Sequence, residues 1–231
     1  MTYKAIAFDL DDTLIDTTNE LIPFACRKIH TYLLSEGYPG TFEEFDVLRK
    51  NFVKTKSHKE FFKNLVSTFS IQDSSRRPDI ISNLNQLFYE PTIPSHLTMM
   101  PGAEDNLMYL GSKYTLFVVT AGVVAAQKRK LAQLRIERYV KHAHVLIVGE
   151  GAFSTKKTAF EKILQDEDLR PQELLSIGNR LSQEIRMAKQ LACDTCYFQH
   201  GEHAEDTAQD HFEIPDFTIH SHKELISTCR L

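Results

Sequence analysis

The chain has 231 residues, of which 42% are apolar and 25% are charged, a composition typical of a folded globular protein and not of a disordered one. Its formal net charge of −4 comes from acidic and basic residues scattered along the chain, which argues against nucleic acid or an anionic membrane as a partner. A small molecule is the default expectation.

The N-terminal apolar stretch is interrupted at Asp9, too early for a signal peptide or a membrane span, and no later apolar run approaches the length of a span. The four cysteines, Cys26, Cys193, Cys196 and Cys229, are too few for a disulfide framework in a chain of this size. We therefore expect reduced thiols and a soluble, cytoplasmic protein.

Short apolar runs rich in Val, Ile and Phe recur along the chain with helical stretches between them. Strands that alternate with helices predict an α/β fold, a doubly wound parallel sheet covered on both faces. The predicted strands are 3–10, 114–120, 144–148, 174–177 and 195–198, with a short edge strand at 216–220. Helices are predicted at 104–112, 125–136 and 181–192.

A different pattern occupies residues 19–85, where apolar residues recur at helical spacing and no strand is evident. Pro91 and Pro94 follow this stretch, and proline disfavours a continued helix. We therefore predict two domains. Residues 1–15 and 99–231 form the sheet-containing core, and residues 16–98 form a smaller α-helical domain.

Three carboxylates, Asp9, Asp11 and Asp12, follow the first predicted strand. Like charges this close raise one another's pKa unless a cation neutralises them, so the cluster indicates a divalent metal. The carboxyl ends of parallel strands form the binding crevice of such a sheet, and residues i and i+2 share a face of an extended chain. The alternative is an Asp-rich turn that leaves the strand and caps the next helix.

The segment from Asp9 to Thr13 resembles motif I, DxDxT, of the haloacid dehalogenase superfamily. The resemblance implies that Asp9 attacks phosphorus to form an aspartyl phosphate, while Asp11 protonates the leaving alcohol and later activates water. It also implies that the Asp9 carboxylate and the backbone carbonyl of Asp11 bind Mg²⁺. Asp12 is expected to be a structural turn residue.

Thr120, Ala121 and Gly122 end the second predicted strand of the core and resemble motif II of the same superfamily. The resemblance implies that the Thr120 hydroxyl grips the transferring phosphoryl group, and that the backbone amides of the next two residues join it. Taken alone, a Thr at a strand end more often reflects the strand propensity of Thr or caps a following helix.

Two adjacent lysines, Lys156 and Lys157, precede a predicted helix in a segment that resembles motif III. In that motif a Lys neutralises the charge on the nucleophile and the phosphate. Lys156 is favoured because it precedes Phe160 by the spacing seen in many family members, and Lys157 is the reserve, counted among the phosphate-binding residues.

The segment from Gly178 to Glu184 resembles motif IV, GDxxxxD, with the spacing preserved and both acids replaced. Asn179 stands in the first position and Glu184 in the second, and the resemblance implies that both contribute to the metal site. Asn179 keeps a carbonyl oxygen but loses a negative charge, whereas Glu184 keeps the charge on a longer arm. We still expect Mg²⁺ to bind.

The four motifs occur in order over residues 9–184, and the helical insert lies between motifs I and II. The resemblance implies a Rossmann-like core with a helical cap that excludes water and selects the substrate. It further implies a magnesium-dependent phosphatase acting on a small phosphorylated metabolite. Asp11 argues against a dehalogenase, because a departing halide needs no proton.

Two alternatives to a phosphatase stay open at this point. One is a phosphomutase on the same scaffold. The other is a binding or regulatory protein whose catalysis has been weakened by the changes in motif IV. The sequence identifies neither the substrate nor the oligomeric state.

Three further groupings are interpreted as structural or as surface features. The paired Cys193 and Cys196 are expected to be partly buried thiols, and histidine pairs such as His220 with His222 are expected on the surface. The basic run 128–130 is too short to indicate nucleic-acid binding.

Overall fold

The structure is a computed structural model that describes residues 3–69, 74–151 and 153–231. The chain divides into two compact units, one combining the residues up to Thr18 with Ile93–Leu231 and the other comprising Asn19–Thr92. The predicted limits, 16 and 98, lie slightly outside the second unit. Residues after 92 belong with the first unit, where the Gln133 side chain donates a hydrogen bond to the Ser95 carbonyl at 2.9 Å.

The first unit contains a six-stranded sheet in which every neighbouring pair of strands is parallel. The order across the sheet is β3-β2-β1-β4-β5-β6. The strands are β1 Ala5–Phe8, β2 Thr115–Ala121, β3 Val145–Val148, β4 Leu174–Gly178, β5 Asp194–Phe198 and β6 Phe217–Ile219. This arrangement confirms the predicted α/β fold with a doubly wound parallel sheet.

The register of the central strands decides where the motifs meet. Phe8 at the end of β1 lies opposite Val118 of β2 on one side and Ile177 of β4 on the other. Every residue of β1 and β4 is buried, as expected for strands covered on both faces. The residues that follow β1, β2 and β4 therefore lie at one edge of the sheet.

The α-helices of the described residues are α1 Ile22–Ser35, α2 Phe42–Val53, α3 His58–Thr68, α4 Arg77–Tyr89, α5 Ala103–Gly111, α6 Val124–Gln133, α7 Lys156–Asp166, α8 Arg186–Lys189 and α9 His222–Cys229. The continuous helix predicted at 181–192 is wrong in detail, because a π-helical turn, Leu181–Ile185, precedes the short α8. Helix α9 was not predicted.

The second unit has an apolar core of its own. Buried residues from α1, α3 and α4, among them Ile29, Phe62 and Leu84, pack in one cluster with Phe45 of α2. Capping boxes begin two of these helices: Thr41 and Ser57 each accept a hydrogen bond from the backbone amide of a Glu three residues later, whose side chain bonds back to the cap. The amphipathic spacing and these caps account for the helices.

The cysteines and the length of the helices bear on the expected thiols and on membrane spans. Cys26, Cys193, Cys196 and Cys229 are all free thiols and all buried. Among the described residues, no helix combines the length and the apolar character needed to cross a membrane.

Candidate active site

The loop after β1 is closed by its own polar groups. Asp12 has a positive φ of 53°, a left-handed conformation that Asp tolerates better than most residues. Its carboxylate accepts hydrogen bonds from the backbone amide of Thr18 at 2.7 Å and from the Thr18 hydroxyl at 2.8 Å. This geometry fits the structural turn role expected for Asp12.

A buried histidine supports the same loop from the C-terminal helix. His222 Nε2 donates to the backbone carbonyl of Thr13 at 2.7 Å, and Asn106 Nδ2 donates to the carbonyl of His222 at 2.7 Å. Only 2% of His222 is exposed, so the expectation that it lies on the surface is wrong. Burial lowers the pKa of His222, and the bond to Thr13 opposes this shift only in part.

At the end of β1, Asp9 meets Lys156 and Glu184. Lys156 Nζ donates to Asp9 Oδ1 at 2.5 Å and forms an ion pair with Glu184 Oε1. The other carboxylate oxygen of Glu184 accepts from the backbone amide of Arg180 at 2.9 Å. Each of the three ionisable side chains is at least nine-tenths buried, which makes the cluster the most desolvated set of charges among the predicted residues.

The start of helix α7 determines which lysine reaches Asp9. Thr155 is the N-cap, and its hydroxyl accepts from the backbone amide of Thr158 at 3.2 Å, so Lys156 is the first residue of the helix. Lys157 is half-buried and makes no hydrogen bond or ion pair within residues 3–69, 74–151 and 153–231. The structure therefore brings Lys156, and not Lys157, to Asp9.

The cluster carries an excess of negative charge. Burial raises the pKa of Asp9 to about 7, with the Glu184 carboxylate adding to the shift and Lys156 opposing it. Burial alone would lower the pKa of Lys156, but the two carboxylates raise it above its usual value. One buried cation faces two carboxylates, and a further cation would relieve the imbalance.

Thr120 ends the buried part of β2 with an unused hydroxyl. Its side chain is fully buried, and Oγ1 has no hydrogen-bond partner in the part of the chain that the structure describes. Gly122, two residues later, has φ of 147°, and a Cβ there would lie 2.6 Å from Gln127 Nε2. The hydroxyl and the glycine turn offer donors to a ligand at this edge.

Asp11 is held by a set of donors separate from Lys156. Thr17 Oγ1 donates to Oδ1 at 2.5 Å, Lys130 Nζ to Oδ1 at 2.6 Å, and Gln127 Nε2 to Oδ2 at 2.8 Å. Burial would raise the pKa of Asp11, but the charge and hydrogen bond of Lys130, helped by the other donors, lower it overall.

Neither Gln127 nor Lys130 was predicted as a site residue, and Lys130 was noted only as part of a short basic run. The available signal was their i, i+3 spacing on a helix that begins directly after motif II, which places both on one helical face near the strand ends.

Asn179 occupies the first acid position of motif IV and is almost fully buried. Its amide Nδ2 donates to the backbone carbonyl of His200 at 3.2 Å, so the side-chain carbonyl oxygen is the atom left for a ligand. The oxygen donors at the strand ends, from Asp9, the Asp11 backbone and Asn179, are of the hard type that Mg²⁺ prefers.

A second group of possible metal ligands was not predicted. Asp12, Asp16 and His200 each bring one ligand atom within 4.8 Å of the others. Asp12 already accepts two hydrogen bonds from Thr18, and His200 Nε2 lies 3.0 Å from Asp16 Oδ1. The hydrogen bonds of Asp12 thus go to Thr18, outside the group, while Asp16 lies beside His200.

Comparison with known proteins identifies the family of the chain. Residues 3–191 match the family model of the haloacid dehalogenase-like hydrolases. The chain belongs to this family. The predicted family is thereby confirmed, and relatives named as phosphatases confirm the predicted enzyme class, a phosphatase.

Relatives of this hydrolase include proteins named glyceraldehyde 3-phosphate phosphatase. The protein from Pyrococcus furiosus is 27% identical over 229 residues, covering 96% of this chain and 91% of the relative. The one from Pyrococcus abyssi is 30% identical over 203 residues, covering 86% and 82%. A solved structure, the HAD hydrolase YfnB from Bacillus subtilis bound to magnesium, shares the fold with a TM-score of 0.73 at 18% identity, covering 98% of each chain.

Proposed function

We propose that this hydrolase cleaves small phosphate monoesters through an aspartyl phosphate formed on Asp9. The observation that carries the proposal is the buried contact of 2.5 Å between Asp9 Oδ1 and Lys156 Nζ at the carboxyl edge of the sheet. A buried carboxylate beside a fixed ammonium suits a nucleophile, because the cation also offsets the charge of an incoming phosphoryl group.

The chemical steps follow from the positions of Asp9, Asp11 and Thr120. Asp9 attacks phosphorus and the bond from phosphorus to the alcohol oxygen breaks. The protonated form of Asp11, which is the minor form in the free protein because, against the effect of burial, Lys130 lowers the pKa of this carboxyl, gives its proton to that oxygen. The unpartnered hydroxyl of Thr120 donates to a phosphoryl oxygen. Asp11 then takes a proton from the water that cleaves the aspartyl phosphate, which restores both carboxyl groups.

We also propose Mg²⁺ as the cofactor, and the residues present fit it. The buried carboxylates of Asp9 and Glu184 outnumber the single cation Lys156. Burial raises the pKa of Asp9, and the Glu184 carboxylate adds to this rise, so a further cation would stabilise the ionised cluster. Asp9, the backbone carbonyl of Asp11 and the side-chain carbonyl of Asn179 would hold the ion. When bound, Mg²⁺ neutralises charge on the phosphate and on the carboxylates.

The resemblance to motif IV implied that Glu184 contributes to the metal site, but its contacts in the structure point to a role beside Lys156. One of its carboxylate oxygens pairs with Lys156 and the other accepts from the Arg180 amide, so both are engaged within the protein. We propose that Glu184 orients Lys156 and adds negative charge to the metal site without binding the ion directly.

The substrate is proposed to be a phosphorylated small metabolite. Glyceraldehyde 3-phosphate is the first compound to test, because relatives that cover most of this chain carry that name. The helical unit, Asn19–Thr92, is inserted between motifs I and II, and we propose that it is the cap that selects the substrate. A cytoplasmic location remains a prediction.

The proposal is tested by phosphate release from p-nitrophenyl phosphate and from glyceraldehyde 3-phosphate while magnesium is titrated. We expect magnesium-dependent turnover by the parent chain, no turnover by Asp9→Asn, and parent-like turnover by Asp105→Asn, which makes the same change at an exposed position of α5. Unchanged turnover in Asp9→Asn would refute the proposal. No turnover by the parent at high magnesium would favour the binding protein suggested by the altered motif IV.

A further inference from the structure

The three donors to Asp11 are distributed unequally between its two carboxylate oxygens. Oδ1 accepts from both Thr17 Oγ1 and Lys130 Nζ, whereas Oδ2 accepts only from Gln127 Nε2. A carboxylate oxygen has two lone-pair positions, so Oδ1 is fully used and Oδ2 keeps one position open. The open position is where a proton can be carried.

The location of Lys130 indicates more than a surface ion pair. Lys130 is 7% exposed and Gln127 is 3% exposed. Both lie on helix α6, where Lys128, which stands between them in the sequence, has an exposed side chain. Removing an ammonium group from water costs free energy unless it is paired, and Asp11 is the carboxylate with which Lys130 pairs. The buried ammonium group of Lys130 is therefore stabilised by the Asp11 carboxylate, and their contact fixes the orientation of that carboxylate.

Gln127 connects Asp11 with the loop proposed to bind the phosphoryl group. The same Nε2 that donates to Asp11 also donates to the Ala121 carbonyl at 2.8 Å. The absence of a side chain at Gly122 makes this possible, since a Cβ there would lie 2.6 Å from Nε2. One amide thus fixes the spacing between the proton carrier and the phosphate loop.

We propose that Lys130 and Gln127 are positioning residues that hold Asp11 with Oδ2 as the proton-transferring oxygen. This inference rests on the proposed phosphatase function. In the first step the proton on Oδ2 passes to the alcohol oxygen as its bond to phosphorus breaks, and in the second step Oδ2 takes a proton from the attacking water. In this proposal Lys130 and Gln127 act through their contacts with Asp11.

The inference makes a prediction that a purely structural role does not make. A positioned acid accelerates the reaction more when the leaving group is more basic. The decrease in rate caused by removing Lys130 should therefore depend on the leaving group. The suitable quantity is kcat/KM for aryl phosphates, because it covers only the steps up to departure of the first product and omits the activation of water.

The experiment compares p-nitrophenyl phosphate, whose leaving group departs without a proton, with phenyl phosphate, whose leaving group is more basic. We expect Lys130→Met to lower kcat/KM for phenyl phosphate about tenfold more than for p-nitrophenyl phosphate, since general acid catalysis supplies at least this much. Lys128→Met, the matched control on the same helix, should leave both values unchanged. Gln127→Met should repeat the selective loss and serves as the second variant if Lys130→Met does not fold.

The outcomes separate this inference from the proposed function. Equal losses on both substrates, or no loss on either, in a folded Lys130→Met or Gln127→Met protein would overturn the positioning role while leaving the phosphatase intact. Turnover that survives Asp9→Asn would instead overturn the proposed function.

Discussion

Lys156 Nζ lies 2.5 Å from Asp9 Oδ1, and the neighbouring Lys157 makes no comparable contact within the described ranges 3–69, 74–151 and 153–231. The two lysines are adjacent in sequence, but only the first residue of α7 faces the end of β1. This difference provides a matched pair of variants for the candidate site.

Lys156→Met should reduce phosphatase kcat/KM by a factor on the order of 100 or more, because an oriented charge that stabilises a transition state is worth that much. Lys157→Met should change it by less than about threefold, as a half-buried side chain without a charged partner contributes little. Steady-state kinetics on p-nitrophenyl phosphate provide the measurement. The reverse ranking of the two variants would show that the motif III lysine has been misassigned.

Asn179→Asp should strengthen magnesium binding by about tenfold, because it restores a negative charge among the oxygen ligands. It should also lower the free energy of unfolding of the metal-free protein by about 1–3 kcal/mol, since the amide that donates to the His200 carbonyl is lost. Isothermal titration calorimetry and thermal melts measure the two effects. Gln190→Glu adds the same charge at an exposed position and should change neither the magnesium affinity nor the free energy of unfolding.

Magnesium affinity should depend on pH through Asp9. Burial raises the pKa of Asp9 to about 7 in the metal-free protein, and the ion binds the deprotonated carboxylate. Below this pKa a proton competes, so the affinity should fall by about tenfold for each pH unit, and above it the affinity should level off. Calorimetric titrations one pH unit below and one above 7 test this, and a constant affinity across that interval would contradict it.

Gly122→Ala should damage the protein more than Gly149→Ala. Both glycines have positive φ, so both substitutions impose backbone strain of about 1–2 kcal/mol. A Cβ at Gly149 meets no atom within 4 Å, whereas at Gly122 it meets the Gln127 amide. Thermal denaturation should therefore show a larger loss for Gly122→Ala, together with a loss of activity, and similar melting of the two variants would show that the contact with Gln127 is unimportant.

His222→Leu should lower the free energy of unfolding by about 1–3 kcal/mol, because it leaves the buried carbonyl of Thr13 without its donor. His220→Leu, two residues earlier and exposed, is the control and should have little effect. Chemical denaturation of both variants makes the comparison. If the two variants have the same free energy of unfolding, the hydrogen bond from His222 to Thr13 does not stabilise the loop after β1.

The sequence by itself determined the class of fold and the order of the motifs. A buried strand such as β1 has a continuous apolar run, and this signal is local, because most side chains on a strand covered on both faces are apolar. The position of Asp9 at a strand end then placed it at the binding edge. Local patterns carry this information because strand and helix periodicities extend over only a few residues.

Tertiary structure decided which side chains meet and which remain apart. Lys130 reaches Asp11 from a helix more than a hundred residues away, and His222 reaches Thr13 from the last helix of the chain. The i, i+3 spacing of Gln127 and Lys130 indicates a shared helical face but not the partner of that face, and His222 leaves no comparable pattern. A polar residue on a helix looks the same in the sequence whether it faces water or a buried partner. Only the packing of α6 and α9 against the sheet-containing unit excludes water from these side chains and gives each of them a specific partner.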